Sequence, residues 1–163
     1  MENQLPERKP NRYPEYDYSQ CGAYFITICT QDRKKIFWNA VGADIIRPKF
    51  ISLSPAGIIV EKGILQIPKH YDKIFVDKYA IMPDHIHLIL RIDGDMCGRM
   101  ISAPTISTVV GSLKRWISKQ IGEPIWQRSY YDHVIRNQQD YNEVWEYIDN
   151  NPMKWLLTKQ GEI

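Results

Sequence analysis

Four stretches rich in β-branched and aromatic residues alternate with amphipathic ones in the order β-α-β-β-α-β-α. Two of them flank a tight turn at Met82-Pro83-Asp84 and so read as a hairpin. Together these observations predict an α+β fold of the split βαβ, ferredoxin-like kind: an antiparallel sheet with helices on one face and an added C-terminal helix. A third observation concerns the face left open. His85-Ile86-His87 opens the second strand of the hairpin. In a strand, residues i and i+2 share a face, about 6.6 Å apart along the chain. Both imidazoles therefore stand on one side, while Ile86, Leu88 and Leu90 anchor the other in the core.

Each element has its own signal. Residues 1 to 17 are polar and Pro-rich and read as an arm. "CGAYFITICTQ" reads as the first strand, followed by a connection of mixed character. Ser54-Pro55 is an N-cap with Pro at the first helical position. The helix it starts carries Ile58, Ile59, Ile64 and Leu65 on an approximate stripe and is expected to end near Pro68. After the hairpin and a Gly-containing loop, Thr105 to about Ile121 reads as a helix. Val109, Leu113, Trp116 and Ile117 form its apolar stripe, which leaves Lys114, Arg115 and Lys119 facing outward. "WQRSYYDHVIR" reads as a loop and a fourth strand. A last helix runs from Gln138 and is expected to stop at Asn151, because Pro152 disfavours helical geometry there. Residues 18–155 form one domain, and 156–163 read as a tail.

Composition narrows the function classes. An apolar fraction of 44% and a charged fraction of 25% are ordinary for a soluble globular protein. The net charge of +2 does not by itself announce a nucleic-acid partner, so a basic patch has to be argued from position. Cys21, Cys29 and Cys97 are odd in number and lack CxxC spacing, so neither a disulfide framework nor a structural zinc site is expected. A reducing cytoplasm fits. No signal peptide and no run of about 20 apolar residues is present, so no membrane is expected. Ten Tyr and five Trp give rings enough both for a core and for stacking on bases.

The last helix carries the remaining chemistry. Tyr147 and Asn151 are at i and i+4, hence neighbours on one helix face. They lie near its C-terminal end, whose partial negative charge favours a cation. If this helix packs on the histidine face, His85, His87 and Asn151 can supply three metal ligands, with Tyr147 beside them. Two imidazoles and an amide oxygen suit Mg²⁺ or Mn²⁺ better than a closed zinc site. A tyrosine hydroxyl can act as a covalent nucleophile, and a metal can polarise a phosphate. Each feature alone also has a structural reading. An isolated HxH is more often structural than a ligand pair. Tyr147 shares helical spacing with Val144 and Ile148 and could be core. Asn151 before Pro152 could be a helix stop.

"MPDHIHLIL" at 82–90, "IWQRSYYDHVIR" at 125–136 and "EYIDNNPMKW" at 146–155 together resemble the REP-associated tyrosine transposases, relatives of the single-tyrosine HUH transposases of insertion sequences. "YFITICT" and "LKRWISK" are similar as well, and the resemblance runs from about Arg12 to Trp155. It implies a ferredoxin-like nuclease fold and a metal-dependent, DNA-cleaving and -joining enzyme acting on single-stranded, hairpin-forming DNA through a 5′-phosphotyrosine. Residue by residue, His85 and His87 match the metal ligands, Tyr147 the nucleophile, and Asn151 the third ligand. Asp84 departs from the Asn that many relatives carry there. Tyr141, Tyr130 and Tyr131 are rival nucleophiles, but Tyr141 faces Trp145 at i+4 rather than a polar group. Lys114, Arg115, Lys119, Arg128 and Arg136 are candidate phosphate contacts, and Trp126 and Tyr130 candidate base contacts. Arg8, Lys9 and Arg12 of the arm could wrap DNA, and His133 reads as structural. A catalytically vestigial hairpin-binding protein and a generic metal hydrolase are the rival readings; the second leaves the YIxxNP block unexplained. Monomer and homodimer both remain open.

Overall fold

The computed structural model describes residues 20–39, 51–94 and 104–160. The strands are β1 (Gly22–Cys29), β2 (Ile74–Ile81), β3 (His85–Ile92) and β4 (Tyr131–Ile135). The helices are α1 (Pro55–His70), α2 (Ile106–Ile121) and α3 (Gln138–Gln160). The strands form one antiparallel sheet in the order β2-β3-β1-β4, as the split βαβ pattern predicts. The register places Thr27 opposite His87 and Cys29 opposite His85.

Strand alternation divides the chain into two apolar layers. Tyr24, Ile26 and Ile28 of β1 and Ile86, Leu88 and Leu90 of β3 are fully buried in the main core. That core is closed by Val60, Ile64 and Ile67 of α1 and by Val109, Leu113 and Ile117 of α2. The opposite face holds a smaller cluster of Ala23, Phe25, Ala80 and Ile89, on which Ile148 of α3 sits. Thus α1 and α2 cover one face, and α3 partly covers the other.

Several details differ from expectation. The buried stripe of α1 is Gly57, Val60, Gly63, Ile64 and Ile67, whereas Ile58 and Leu65 are exposed. The segment is apolar on most sides, so its composition did not single out the packed face. Pro68 lies inside the last turn of α1, which continues to His70. Trp116, placed on the core stripe of α2, is instead exposed at its edge. Pro152 does not stop α3, which continues to Gln160. Trp155 packs edge-on against Trp38 at 5.1 Å, and Leu156 joins the main core, so tertiary contacts carry the helix past the proline. Cys21 is disulfide-bonded, against the expectation of reduced thiols, because sequence spacing does not report which cysteines meet in space. Among the described residues Cys29 is a free thiol, and no helix is long and apolar enough to cross a membrane. The N-terminal arm with Arg8, Lys9 and Arg12, and Cys97, lie outside the described residues.

Candidate active site

His85 and His87 emerge from β3 on the face opposite the main core, as their spacing predicts. Their Nε2 atoms are 3.1 Å apart. Asn151 approaches from α3, and its side-chain amide donates to His87 Nε2 at 2.9 Å. Residues of three elements orient this group. Asp84 Oδ1 accepts from His85 Nδ1 at 2.6 Å. Thr27 Oγ1, directly across from His87 in β1, lies 2.8 Å from its Nδ1. With each Nδ1 engaged, both Nε2 lone pairs turn toward one point.

Burial lowers the pKa of both histidines. For His85 it outweighs the upward pull of Asp84. His87 is driven down to about 3 by burial and then by repulsion from His85. Both imidazoles are therefore neutral near pH 7, the form that binds metal. The donor spacing allows a check on fit. Two neighbouring ligands of an octahedral ion with bonds of about 2.1 Å lie roughly 3.0 Å apart, against roughly 3.4 Å in a tetrahedron. The separations of 3.1 Å and 2.9 Å are close to the edge length of an octahedron. Turning the Asn151 amide over would present Oδ1, because its nitrogen and oxygen are interchangeable by a flip. Among the described residues, no three His, Cys, Asp or Glu gather as a metal cage. An ion held by two imidazoles and an amide would need water or substrate oxygens to complete its shell.

The site opens into a cleft of about 350 Å³ lined also by Phe25, Arg33, Tyr131 and Tyr147. Tyr147 stands edge-on to His87 at 5.3 Å and to Phe25 at 5.9 Å. It is 48% exposed, so it is a surface group of the cleft rather than a core residue. Contacts on both sides of it seat α3. Ile148 is buried on the sheet, Tyr141 donates to Asp77 Oδ2 at 3.0 Å, and Lys78 pairs with Asp149 at 2.5 Å. Lys78 also lies 4.8 Å over the Trp145 ring.

The expected DNA contacts fare unevenly. Arg115, Lys119, Arg128 and Arg136 are exposed. Lys114 is not free: its ammonium donates to the Gln127 carbonyl at 2.6 Å and the Arg128 carbonyl at 3.3 Å, so it ties α2 to the loop before β4. Trp126 is buried and packed on Phe37 at 5.4 Å. Tyr130 is buried with its hydroxyl 3.0 Å from Ser107. Neither ring is offered to a base, because both are taken up by the core beside α2. Tyr131 is the exposed ring, edge-on to Phe25 at 6.4 Å. His133 bonds Asp140 at 2.9 Å, the structural role expected of it. Sequence reasoning missed Thr27 and Arg33 altogether and noted Asp84 only as a departure. Asp84 could have been read from its place directly before the first histidine. The other two are joined to the site only by strand register and a turn.

No family model matches this sequence. An Escherichia coli K12 protein named REP-associated tyrosine transposase is 25% identical, over 92% of this chain and 77% of its own length. A Haemophilus influenzae protein that bears the same name in provisional form is 27% identical, over 85% of this chain and 74% of its own length. A solved REP-associated tyrosine transposase bound to a REP hairpin shares the fold with a TM-score of 0.65. That match has 20% identity and covers 88% of this chain and 73% of the other. The chain thus resembles the REP-associated tyrosine transposases over most of its length.

Proposed function

We propose that this relative of the REP-associated tyrosine transposases is a metal-dependent transesterase that cleaves and rejoins single-stranded, hairpin-forming DNA. One observation carries the reading: Asn151 meets His87 at 2.9 Å with the exposed Tyr147 ring beside them, so one helix delivers a ligand and a nucleophile to the histidine pair. The solved neighbour bound to a REP hairpin supports DNA of that kind as the substrate.

His85, His87 and Asn151 would hold Mg²⁺ or Mn²⁺, with Thr27 and Asp84 fixing the two rings. The ion supplies Lewis-acid polarisation of the scissile phosphate. Tyr147 Oη would attack phosphorus, forming an O–P bond to the phosphate that stays on O5′ of the nucleotide 3′ to the cut. The P–O3′ bond breaks and its electron pair goes to O3′. The phenol proton is balanced by the proton gained at O3′, which leaves as a 3′-hydroxyl. One phosphodiester is exchanged for another, so neither water nor ATP is consumed. Attack by a 3′-hydroxyl on the phosphotyrosine reverses the exchange and joins strands. Such an enzyme works where DNA lies, in the cytoplasm of a bacterial cell.

The test is a covalent-adduct assay with labelled hairpin oligonucleotides and Mn²⁺, read on a denaturing gel. The expected band needs metal and disappears in Tyr147→Phe and in His87→Ala. Binding without any band would instead make this a catalytically vestigial hairpin-binding protein. A band that persists in Tyr147→Phe would move the nucleophile to another residue.

A further inference from the structure

We propose that Arg33 is the phosphate seat of this cleft, its guanidinium receiving a non-bridging oxygen of the phosphodiester that Tyr147 attacks. The inference rests on the transesterase reading above.

The first support is the backbone. Asp32 and Arg33 have φ of 56° and 54°, and among the described residues they are the non-glycine residues in the left-handed region. Such outliers persist only where the surroundings hold them, and they cluster at functional sites. Here the surroundings are explicit. Thr30 N donates to the Asp84 carbonyl at 2.9 Å, and Gln31 N to the Ile125 carbonyl at 2.7 Å. Thr30 Oγ1 donates to the same Asp84 carbonyl at 2.9 Å. The turn is thus pinned between the segment that opens β3 and the loop before β4. It aims Arg33 at the site.

The second support is how the guanidinium is used. Its Nε lies 3.1 Å from Asp84 Oδ2, on the carboxylate that orients His85. Its Nη1 donates to Cys29 Sγ at 2.7 Å. Its Nη2 has no partner among the described residues, and the side chain is half exposed. An arginine present only to neutralise Asp84 would favour the two-pronged pairing that joins guanidinium to carboxylate. This one makes a single bond to Asp84 and leaves a donor edge open.

The third support is charge. Of the described residues lining the cleft, Arg33 alone is a lysine or arginine. Attack by a phenol places additional negative charge on the phosphoryl oxygens, and the guanidinium of Arg33 lies on the cleft to meet it. A fixed guanidinium aimed at developing charge is worth most where it needs no rearrangement.

Arg33→Gln and Arg33→Lys test this, using the hairpin that the wild-type protein cleaves. Arg33→Gln slows adduct formation by about a hundredfold, the scale set by losing one preorganised donor. Arg33→Lys recovers part of that loss, because one ammonium cannot serve both Asp84 and the phosphate. A binding experiment avoids turnover. With Tyr147→Phe protein, replacing the mapped scissile phosphate by a neutral methylphosphonate weakens hairpin binding; with Tyr147→Phe/Arg33→Gln the loss is several-fold smaller, because only the ion then meets that phosphate. Mn²⁺ binding to Arg33→Gln, measured by calorimetry, stays within about threefold of wild type. Adduct rates equal to wild type, or an equal methylphosphonate loss in both backgrounds, overturn the proposal while the transesterase reading stands. Loss of Mn²⁺ binding in Arg33→Gln as large as in Asp84→Asn reduces Arg33 to a support for His85 and also overturns it. A wild-type protein that forms no adduct removes the transesterase reading and this inference with it.

Discussion

Tyr141 and Tyr147 share α3 but have opposite surroundings. The Tyr141 hydroxyl donates to Asp77, and burial followed by that hydrogen bond pushes its pKa up to about 12. A phenol that is desolvated and already bonded to a carboxylate is a poor nucleophile. The Tyr147 hydroxyl has no partner among the described residues and lies on the cleft. Tyr141→Phe is therefore expected to cost about 1 kcal/mol of stability in urea unfolding, the usual worth of one hydrogen bond, and to leave adduct formation intact. Tyr147→Phe is expected to stay within about 0.5 kcal/mol of wild type, as exposed substitutions do, and to form no adduct. The opposite pattern would exchange the roles of the two residues. Asp84 makes a second case at this scale. Its bond to His85 Nδ1 fixes which nitrogen of that ring faces the cleft. Such supporting carboxylates are typically worth 10–100-fold in metal affinity. Asp84→Asn is accordingly expected to weaken Mn²⁺ binding by about that factor in calorimetry. An unchanged affinity would mean that the ring is held by β3 alone.

Helix α3 illustrates what local signals cannot carry. A proline inside a helix removes one backbone bond and crowds the carbonyl four residues earlier, a cost of about 3 kcal/mol. On that ground the local sequence predicts that the helix ends at Asn151. It continues because Trp155 reaches Trp38 and Leu156 reaches the main core, both distant in sequence. Trp155→Ala is expected to cost about 2 kcal/mol, roughly half the loss for a fully buried Trp. It should raise hydrogen exchange after Pro152 and leave residues 138–150 protected. Equal protection throughout would show that the helix needs no such anchor. The same contrast separates what could be read in advance from what could not. The antiparallel sheet follows from the order of strand and helix signals, and the shared face of His85 and His87 from period-two alternation. The pairing of Tyr147 with Asn151 follows from helical spacing. The packed face of α1 did not, because Ile58 and Leu65 are as apolar as the buried Val60 and Ile64. Thr27 and Arg33 could not be found either. One is placed by strand register, the other by a left-handed turn.

At the scale of the whole molecule, one chain brings together the described residues of the proposed site. β3 supplies His85 and His87, β1 supplies Thr27, and α3 of the same chain supplies Asn151 and Tyr147. The anchors of α3 are also internal. Tyr141 bonds Asp77 of β2, Asp149 pairs with Lys78 of β2, and Ile148 fills the cluster on the histidine face. Exchange of α3 between two copies would have to break these contacts and remake them, with no gain visible in the single chain. Mixing two inactive variants decides between the arrangements. Tyr147→Phe retains the histidines, and His87→Ala retains the Tyr147 hydroxyl. If each chain builds its own site, an equal mixture forms no adduct, whatever the association state. If α3 were exchanged between subunits, half of the randomly assorted dimers would be mixed, each with one intact site of two. About a quarter of wild-type activity would then return. The contacts of α3 predict the first outcome. Recovery near a quarter would show that α3 docks on the partner in solution, and that the cleft is shared between subunits.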